Sequence, residues 1–219
     1  LSIFNPAKYV LPECKALYDD QRVLNFSQDS RERFLIGMMK VNFLKRLESS
    51  VYAFSITMER TVAKIEELEK RIKQYIQHRN QAQEEDMADA FMEMAEDDEE
   101  MAQALEVGSK LKYNMQHLDV DAWLADLAAD KQQLSLLAAT AKQVDATRDA
   151  KLAQLKQLIE SKVSKPSTNA LGEPNRKVIV FSAFADTAAY LYDELETWAH
   201  DILGLHIALV CGGTHPNRT

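Results

Sequence analysis

A mainly α-helical chain, built on a long antiparallel, coiled-coil-like pair of helices and followed by a truncated α/β unit, is predicted by three features of the sequence. Apolar residues recur at steps of three and four from Phe34 to Ile76, and a second such stripe runs from Trp123 to Ile159. Near the end, the β-branched run Val178-Ile179-Val180-Phe181 passes at once into an amphipathic helical pattern.

Residues 1–28 hold Pro6 and Pro12 among scattered apolar side chains with no sustained period, which predicts an irregular arm with a short helix near Lys15 to Asp19. From Ser30 the stripe Phe34, Met38, Val41, Leu44, Leu47, Val51, Phe54, Met58, Val62, Ile65, Leu68, Ile72 and Ile76 predicts one long helix. No proline interrupts residues 30–80. At 1.5 Å rise per residue such a helix is about 75 Å long. One small core does not bury that length, so a partner helix is required.

The partner is expected between Val120 and Lys162, where Trp123, Leu124, Leu127, Leu134, Leu137, Ala141, Val144, Leu152, Leu155, Leu158 and Ile159 form the stripe. Asp119 or Asp121 suits its N-cap. Two such helices joined by a polar connection fold back most simply as an antiparallel pair. The connection contains the acidic run EEDMADAFMEMAEDDEE, residues 84–100, and a shorter helical pattern over 101–113 broken by Gly108. For the acidic run, the helix propensity of Ala, Met and Glu opposes charge repulsion, so helix and disorder both stand.

The stretch SKPSTNALGEPNR, residues 164–176, reads as a linker. Beyond it, 178–181 predicts a strand buried on both faces. A helix follows over about Ala185 to Ala199, with Ala188, Leu191, Leu195 and Trp198 inward. His206-Ile207-Ala208-Leu209-Val210 predicts a second strand ending at Cys211-Gly212-Gly213. Strand, helix and strand with short links predict a parallel βαβ unit with a right-handed crossover. Two parallel strands alone make no stable sheet, so the expectation is an α/β domain cut short. The start at Leu1 without a methionine and the stop at HPNRT fit the same expectation of a fragment.

A length of 219 residues with 46% hydrophobic and 27% charged residues belongs to the soluble globular class. No run approaches the roughly 20 apolar residues of a membrane span, and the start LSIFNPAKYV lacks the plan of a signal peptide. The expected compartment is cytoplasmic, with no membrane partner. Cys14 and Cys211 show no metal or disulfide spacing, nor do the five histidines, so no metal site is expected. The net charge is −8, yet the ten acids of 84–100 account for more than all of it, leaving +2 elsewhere. Residues 31–79 carry eleven Lys and Arg against six Glu, a locally basic helix.

KVIVFSAFADTAAYLYDEL (177–195) followed by LHIALVCGGTHPNR resembles the opening of the second RecA-like lobe of superfamily-two helicases of the Swi/Snf-like class. The matching positions are Phe181-Ser182, Phe184, Asp186-Thr187, Gly213 and Arg218. LKRLESSVYAFSITMER, residues 44–60, is similar to a segment between the two motor lobes of bacterial helicase-related proteins. The resemblance covers about residues 30–80 and 177–219. It implies an arm leading from the first lobe (1–28), an inter-lobe helical region (29–163), the linker (164–176) and the start of the second lobe (177–219). It implies DNA and the first RecA-like lobe as partners of the parent, and ATP with Mg²⁺ as its cofactors. This chain has no GxxxxGK[ST] loop, no acidic Mg²⁺ motif and no arginine-finger motif, so no catalytic or cofactor-binding residue is expected in it.

The residues expected to meet nucleic acid are Ser182, Phe184, Gly213, Thr214, Arg218, Lys45 and Arg46. Each has a plainer alternative. Ser182 could cap the helix that follows, Gly212-Gly213 reads as a turn, Asp186 as a first-turn helix acid, and Ser49-Ser50 as small residues inside a helix that permit close packing. Lys45 and Arg46 either track phosphates or belong to a solvated face.

The expected function is therefore a fragment of an ATP-dependent DNA helicase or translocase, inactive alone. The alternative is a non-enzymatic coiled-coil scaffold or partner-binding helical module. A Rossmann-type nucleotide domain is disfavoured because Ser182-Ala183-Phe184 stands where a glycine-rich turn is needed. Uncovered apolar faces make self-association of the isolated chain an expected property.

Overall fold

A computed structural model describes the backbone of residues 1–19, 28–77, 84–86, 112–212 and 217–218. The chain is mainly helical. Among the described residues its α-helices are α1 (Ala16–Asp19), α2 (Gln28–Ser49), α3 (Val51–Gln77), α4 (Val120–Lys142), α5 (Ala150–Ser164) and α6 (Ala185–Leu203). Two short antiparallel pairs join β1 (Glu84–Asp86) to β2 (Lys112–Asn114) and β3 (Ser167–Thr168) to β4 (Pro174–Asn175). β1 takes the first three residues of the acidic run; residues 87–100 of it lie outside the described residues. Among the described residues no helix is long and apolar enough to cross a membrane.

The chain divides into two compact units that are discontinuous in sequence. One comprises Leu1–Lys45 with Ser55–Ala139, the other Arg46–Phe54 with Thr140–Thr219.

In the first unit the arm is more ordered than its composition suggests. Three 3-10 turns, Ser2–Phe4, Pro6–Tyr9 and Pro12–Cys14, bury Ile3, Phe4 and Tyr9. Trp123 of α4 is fully buried; its Nε1 donates to the Ser2 carbonyl at 3.0 Å and its ring stacks on Tyr9 with centroids 5.7 Å apart. Backbone bonds from Leu11 N to His117 O and from Asp119 N to Tyr9 O, both 2.8 Å, tie the arm to the segment before α4. Asp119 caps α4, its Oδ1 accepting from Ala122 N at 3.0 Å. The buried Glu32 of α2 accepts from Ala7 N at 2.9 Å and from the Tyr113 hydroxyl, so its carboxylate is not left unsatisfied. Met58, Ile65, Leu68 and Ile72 of α3 complete the core, and Lys131 of α4 donates to Glu69 of α3 at 2.7 Å.

Four expectations are corrected. The single helix over 30–80 is two helices separated by Ser50. Its Oγ accepts from Tyr52 N at 3.1 Å and Ala53 N at 3.4 Å, offering the first amides of α3 a cap in place of an i−4 carbonyl. Ser50, buried at the junction, is therefore a cap between two helices and not a residue inside one. The second long stripe is likewise broken, between α4 and α5. Asp145 accepts from Thr147 N and Arg148 N, and Asp149 caps α5 through Lys151 N and Leu152 N.

The side of α2 that is buried carries Leu35, Met39 and Phe43, not the predicted stripe, whose Phe34 and Leu44 are 62% and 64% exposed. Both sides of α2 are apolar, so spacing alone did not choose between them. The predicted strands, finally, form no ladder with each other among the described residues; the one pairing there is an antiparallel bridge between Leu209 and Arg218. Ile179 and Phe181 are 76% and 90% exposed. With no further strand to share, pairing does not repay the ordering of two extended segments. The linker, by contrast, closes into the β3–β4 hairpin, with Asn169 Oδ1 accepting from Leu171 N and Glu173 N and Gly172 at φ +82°.

Trp123→Ala is expected to cost about 3–5 kcal/mol of folding free energy, whereas Leu136→Ala, on the exposed side of the same helix, stays within about 0.5 kcal/mol. Urea titration followed by far-UV circular dichroism distinguishes the two.

Candidate functional site

The second unit is organised around the first turns of α6. Leu152 and Ile159 of α5 pack with Tyr190 and Leu195 of α6, and Leu155, Leu191 and Trp198 flank them. Leu191, Leu195 and Trp198 were expected inward, and this is the side they line. Residues 186, 187 and 190 form a second buried side of the same helix. α6 ends at Gly204 in the left-handed conformation, φ +63°, with its N–H on the His200 carbonyl at 3.0 Å.

The start of α6 is built from a serine turn. Ser182 Oγ accepts from Phe184 N at 3.1 Å, closing a local turn one residue short of the helix's own amides. Ser182 is exposed and Phe184 is buried. The Phe184 carbonyl accepts from Ala188 N at 3.1 Å, which makes Phe184 the N-cap residue without a side-chain cap bond.

Asp186 in the first turn receives the guanidinium of Arg46, NH1 to Oδ2 at 3.3 Å, with side-chain exposures of 3% for Arg46 and 5% for Asp186. The Arg46 guanidinium also lies over the Phe184 ring, 4.7 Å from its centroid. One turn along, the hydroxyls of Ser49 and Thr187 stand 2.9 Å apart. Tyr52 stacks on Tyr190 with centroids 4.9 Å apart and planes 17° from parallel. The Tyr190 hydroxyl donates to Asp149 Oδ2 at 3.0 Å, so one carboxylate caps α5 and holds α6. Burial, and after it the Asp149 carboxylate, push the Tyr190 phenol above its ordinary range.

The structure thus brings Arg46, Phe184 and, through the serine turn, Ser182 together, and directs Lys45 and Arg218 elsewhere. Lys45 is exposed. Arg46 is not on a solvated face: its charge is directed inward, onto Asp186. Asp186 is the first-turn acid expected, with a cation partner that spacing did not reveal. Arg218 donates to Asp193 on the exposed side of α6 and lies 4.4 Å from the Tyr192 ring centroid. Gly213 and Thr214 lie outside the described residues. Among the described residues no group of three or more His, Cys, Asp or Glu is arranged to hold a metal ion. Asp186 is paired with Arg46, and the pair fastens the first turn of α6 to the α2–α3 junction. Residues 46 and 186 are 140 positions apart, and nothing in their local spacing marks them as partners.

Removing one member strands a buried charge, so Arg46→Met or Asp186→Leu alone is expected to cost about 3–5 kcal/mol, and the double variant to recover most of that loss. A double-mutant cycle from urea unfolding checks it. The raised Tyr190 pKa contributes stability that is fully present below about pH 10, the ordinary phenol range, and is lost as pH rises toward its folded value. Unfolding free energies at pH 8 and pH 11 should therefore differ less in Tyr190→Phe than in the unaltered chain.

Comparison of the chain with family models, with curated proteins and with solved structures finds no match in any of the three.

Proposed function

We propose that this chain is the inter-lobe helical region and the opening of the second motor lobe of an ATP-dependent DNA helicase or translocase of the Swi/Snf-like class. The observation that supports this most is the buried Arg46–Asp186 pair. It joins residues 46–54, the middle of the stretch 44–60 that carries part of the resemblance, to 177–219 within one compact unit. Two stretches with unrelated roles have no physical reason to share a desolvated ion pair, because burying two charges is costly unless each finds the other.

In this reading α3 and α4, linked through Glu69 and Lys131, belong to a protruding antiparallel helical pair. Residues 178–181 and 206–210, which form no ladder with each other among the described residues, would become the strands of a RecA-like βαβ unit in the complete lobe. Their exposed side chains, Ile179, Phe181 and Val210, are the apolar faces that a complete sheet and its covering helices bury. The fastening holds the α2–α3 junction on the first turn of α6, so a displacement of the lobe is passed to the helices instead of being absorbed in a loose joint. In this reading Ser182, exposed on the turn before α6, offers its hydroxyl to a DNA phosphate.

The nucleotide and its Mg²⁺ do not fit the residues present. The guanidinium groups of Arg46 and Arg218 are directed onto Asp186 and Asp193, and the sequence holds no glycine-rich phosphate loop. No step of ATP turnover is assigned to this chain's own side chains.

The test is ATP hydrolysis by the product of the whole reading frame. DNA should stimulate turnover by at least about tenfold, one kinetic decade or roughly 1.4 kcal/mol of barrier, and Arg46→Met should reduce that stimulation more than it reduces ATP affinity. Absence of any DNA-stimulated ATPase rejects the motor reading in favour of a helical scaffold.

A further inference from the structure

The end of α6 and the segment after it bring together two histidines, His200 and His206, that show no ligand spacing in the sequence. Gly204 turns the chain in the left-handed conformation, and two nested backbone bonds close the turn. Gly204 N donates to the His200 carbonyl and Leu205 N to the Ala199 carbonyl, each at 3.0 Å. Glycine takes the positive φ without a side-chain clash. Beyond the turn, Leu205 and Ile207 pack against the core of Leu152, Ile159, Tyr190 and Leu195. Successive side chains of an extended segment point to opposite sides, so His206 between them is turned outward, and it is exposed. His200, on the last turn of the helix, is exposed as well. Their rings stand with centroids 5.7 Å apart and planes 59° from parallel.

We propose that His200 and His206 form a binding site for a divalent ion of the zinc class, with Asp201 as the positioning residue of His200. The separation fits. An ion about 2.1 Å from a ring nitrogen lies roughly 3.2 Å from that ring's centroid, so two imidazoles on one tetrahedral ion stand about 5–6 Å apart. The tautomer fits as well. His200 Nδ1 lies 2.8 Å from Asp201 Oδ1, and an ionised carboxylate only accepts, so Nδ1 carries the proton and Nε2 keeps the lone pair that a metal needs. Backbone bonds fix the turn and core packing holds the chain on both sides of His206, so little remains to be ordered when an ion binds. Two imidazoles without a thiolate suit Zn²⁺, Ni²⁺ or Cu²⁺, whereas Mg²⁺ takes oxygen ligands. Among the described residues no third His, Cys, Asp or Glu joins the pair as a ligand, so solvent completes the coordination. An ion held by both rings fastens the segment after α6 to the helix end, across the Gly204 turn.

The test is thermal unfolding of the 219-residue chain with Zn²⁺, with Mg²⁺ and with neither, alongside calorimetric titration of Zn²⁺. Zn²⁺ should raise the thermal midpoint, because an ion that binds the folded turn stabilises it by mass action, and Mg²⁺ should not. His200→Ala and His206→Ala should each weaken zinc binding at least about tenfold and abolish the rise in midpoint. Asp201→Ala should weaken binding about tenfold with both histidines in place. All three side chains are exposed, so the metal-free midpoints of these variants should match that of the unaltered chain. The proposal is overturned if zinc leaves the midpoint unchanged, if Mg²⁺ raises it equally, or if either histidine variant responds to zinc as the unaltered chain does. Undiminished affinity in Asp201→Ala removes the positioning role from Asp201.

Discussion

The second unit depends on one desolvated ion pair. Arg46 and Asp186 are both buried, and each makes the other's burial tolerable. The carboxylate gains further from its place in the first turn of α6, where backbone N–H groups present partial positive charge. The guanidinium gains from the Phe184 face beneath it. A hydrophobic pair of the same volume would be of comparable stability, so the pair's main effect is on register. With the first turn of α6 fastened at 186, Thr187 falls opposite Ser49 and Tyr190 opposite Tyr52. Tyr190 in turn reaches Asp149, and α5 is capped by the same carboxylate that holds α6.

The first unit is stabilised differently. Its centre is Trp123, whose ring and indole N–H engage the arm at Tyr9 and Ser2. Proline-interrupted and aperiodic, residues 1–14 cannot form a long helix, yet they bury Ile3 and Phe4 and use backbone hydrogen bonds on both edges. The arm is held in part by the backbone bonds of Leu11 N to His117 O and Asp119 N to Tyr9 O. Glu32 shows the same economy, since one buried carboxylate serves a backbone amide of the arm and the hydroxyl of Tyr113.

The positions legible in advance were those whose cause is local. Asp119 caps α4 because a short acceptor precedes an apolar-periodic run. The side of α6 that packs on α5 was visible in the spacing of Leu191, Leu195 and Trp198. The breaks at Ser50 and at residues 143–149 were less legible, because a serine or aspartate inside a helical stripe can either continue it or cap the next turn. The buried side of α2 was not legible at all. With apolar residues on two sides, periodicity admits two solutions, and only the packed core around Leu35, Met39 and Phe43 selects one. Val178 to Phe181 failed for another reason: β-branched residues favour an extended backbone, but a strand exists only when another strand accepts its hydrogen bonds.

The sequence by itself determined the helical character, the cap at Asp119, the absence of a long apolar span among the described helices, and the apolar face of α6 toward α5. Each rests on interactions between residues a few positions apart, which the chain carries wherever it folds. Only the tertiary structure decided that Arg46 is an internal cation and not an exposed one, that Asp186 is its partner, and that the Phe34 side of α2 is left open. Those outcomes turn on desolvation, and a side chain's desolvation is set by which distant residues reach it.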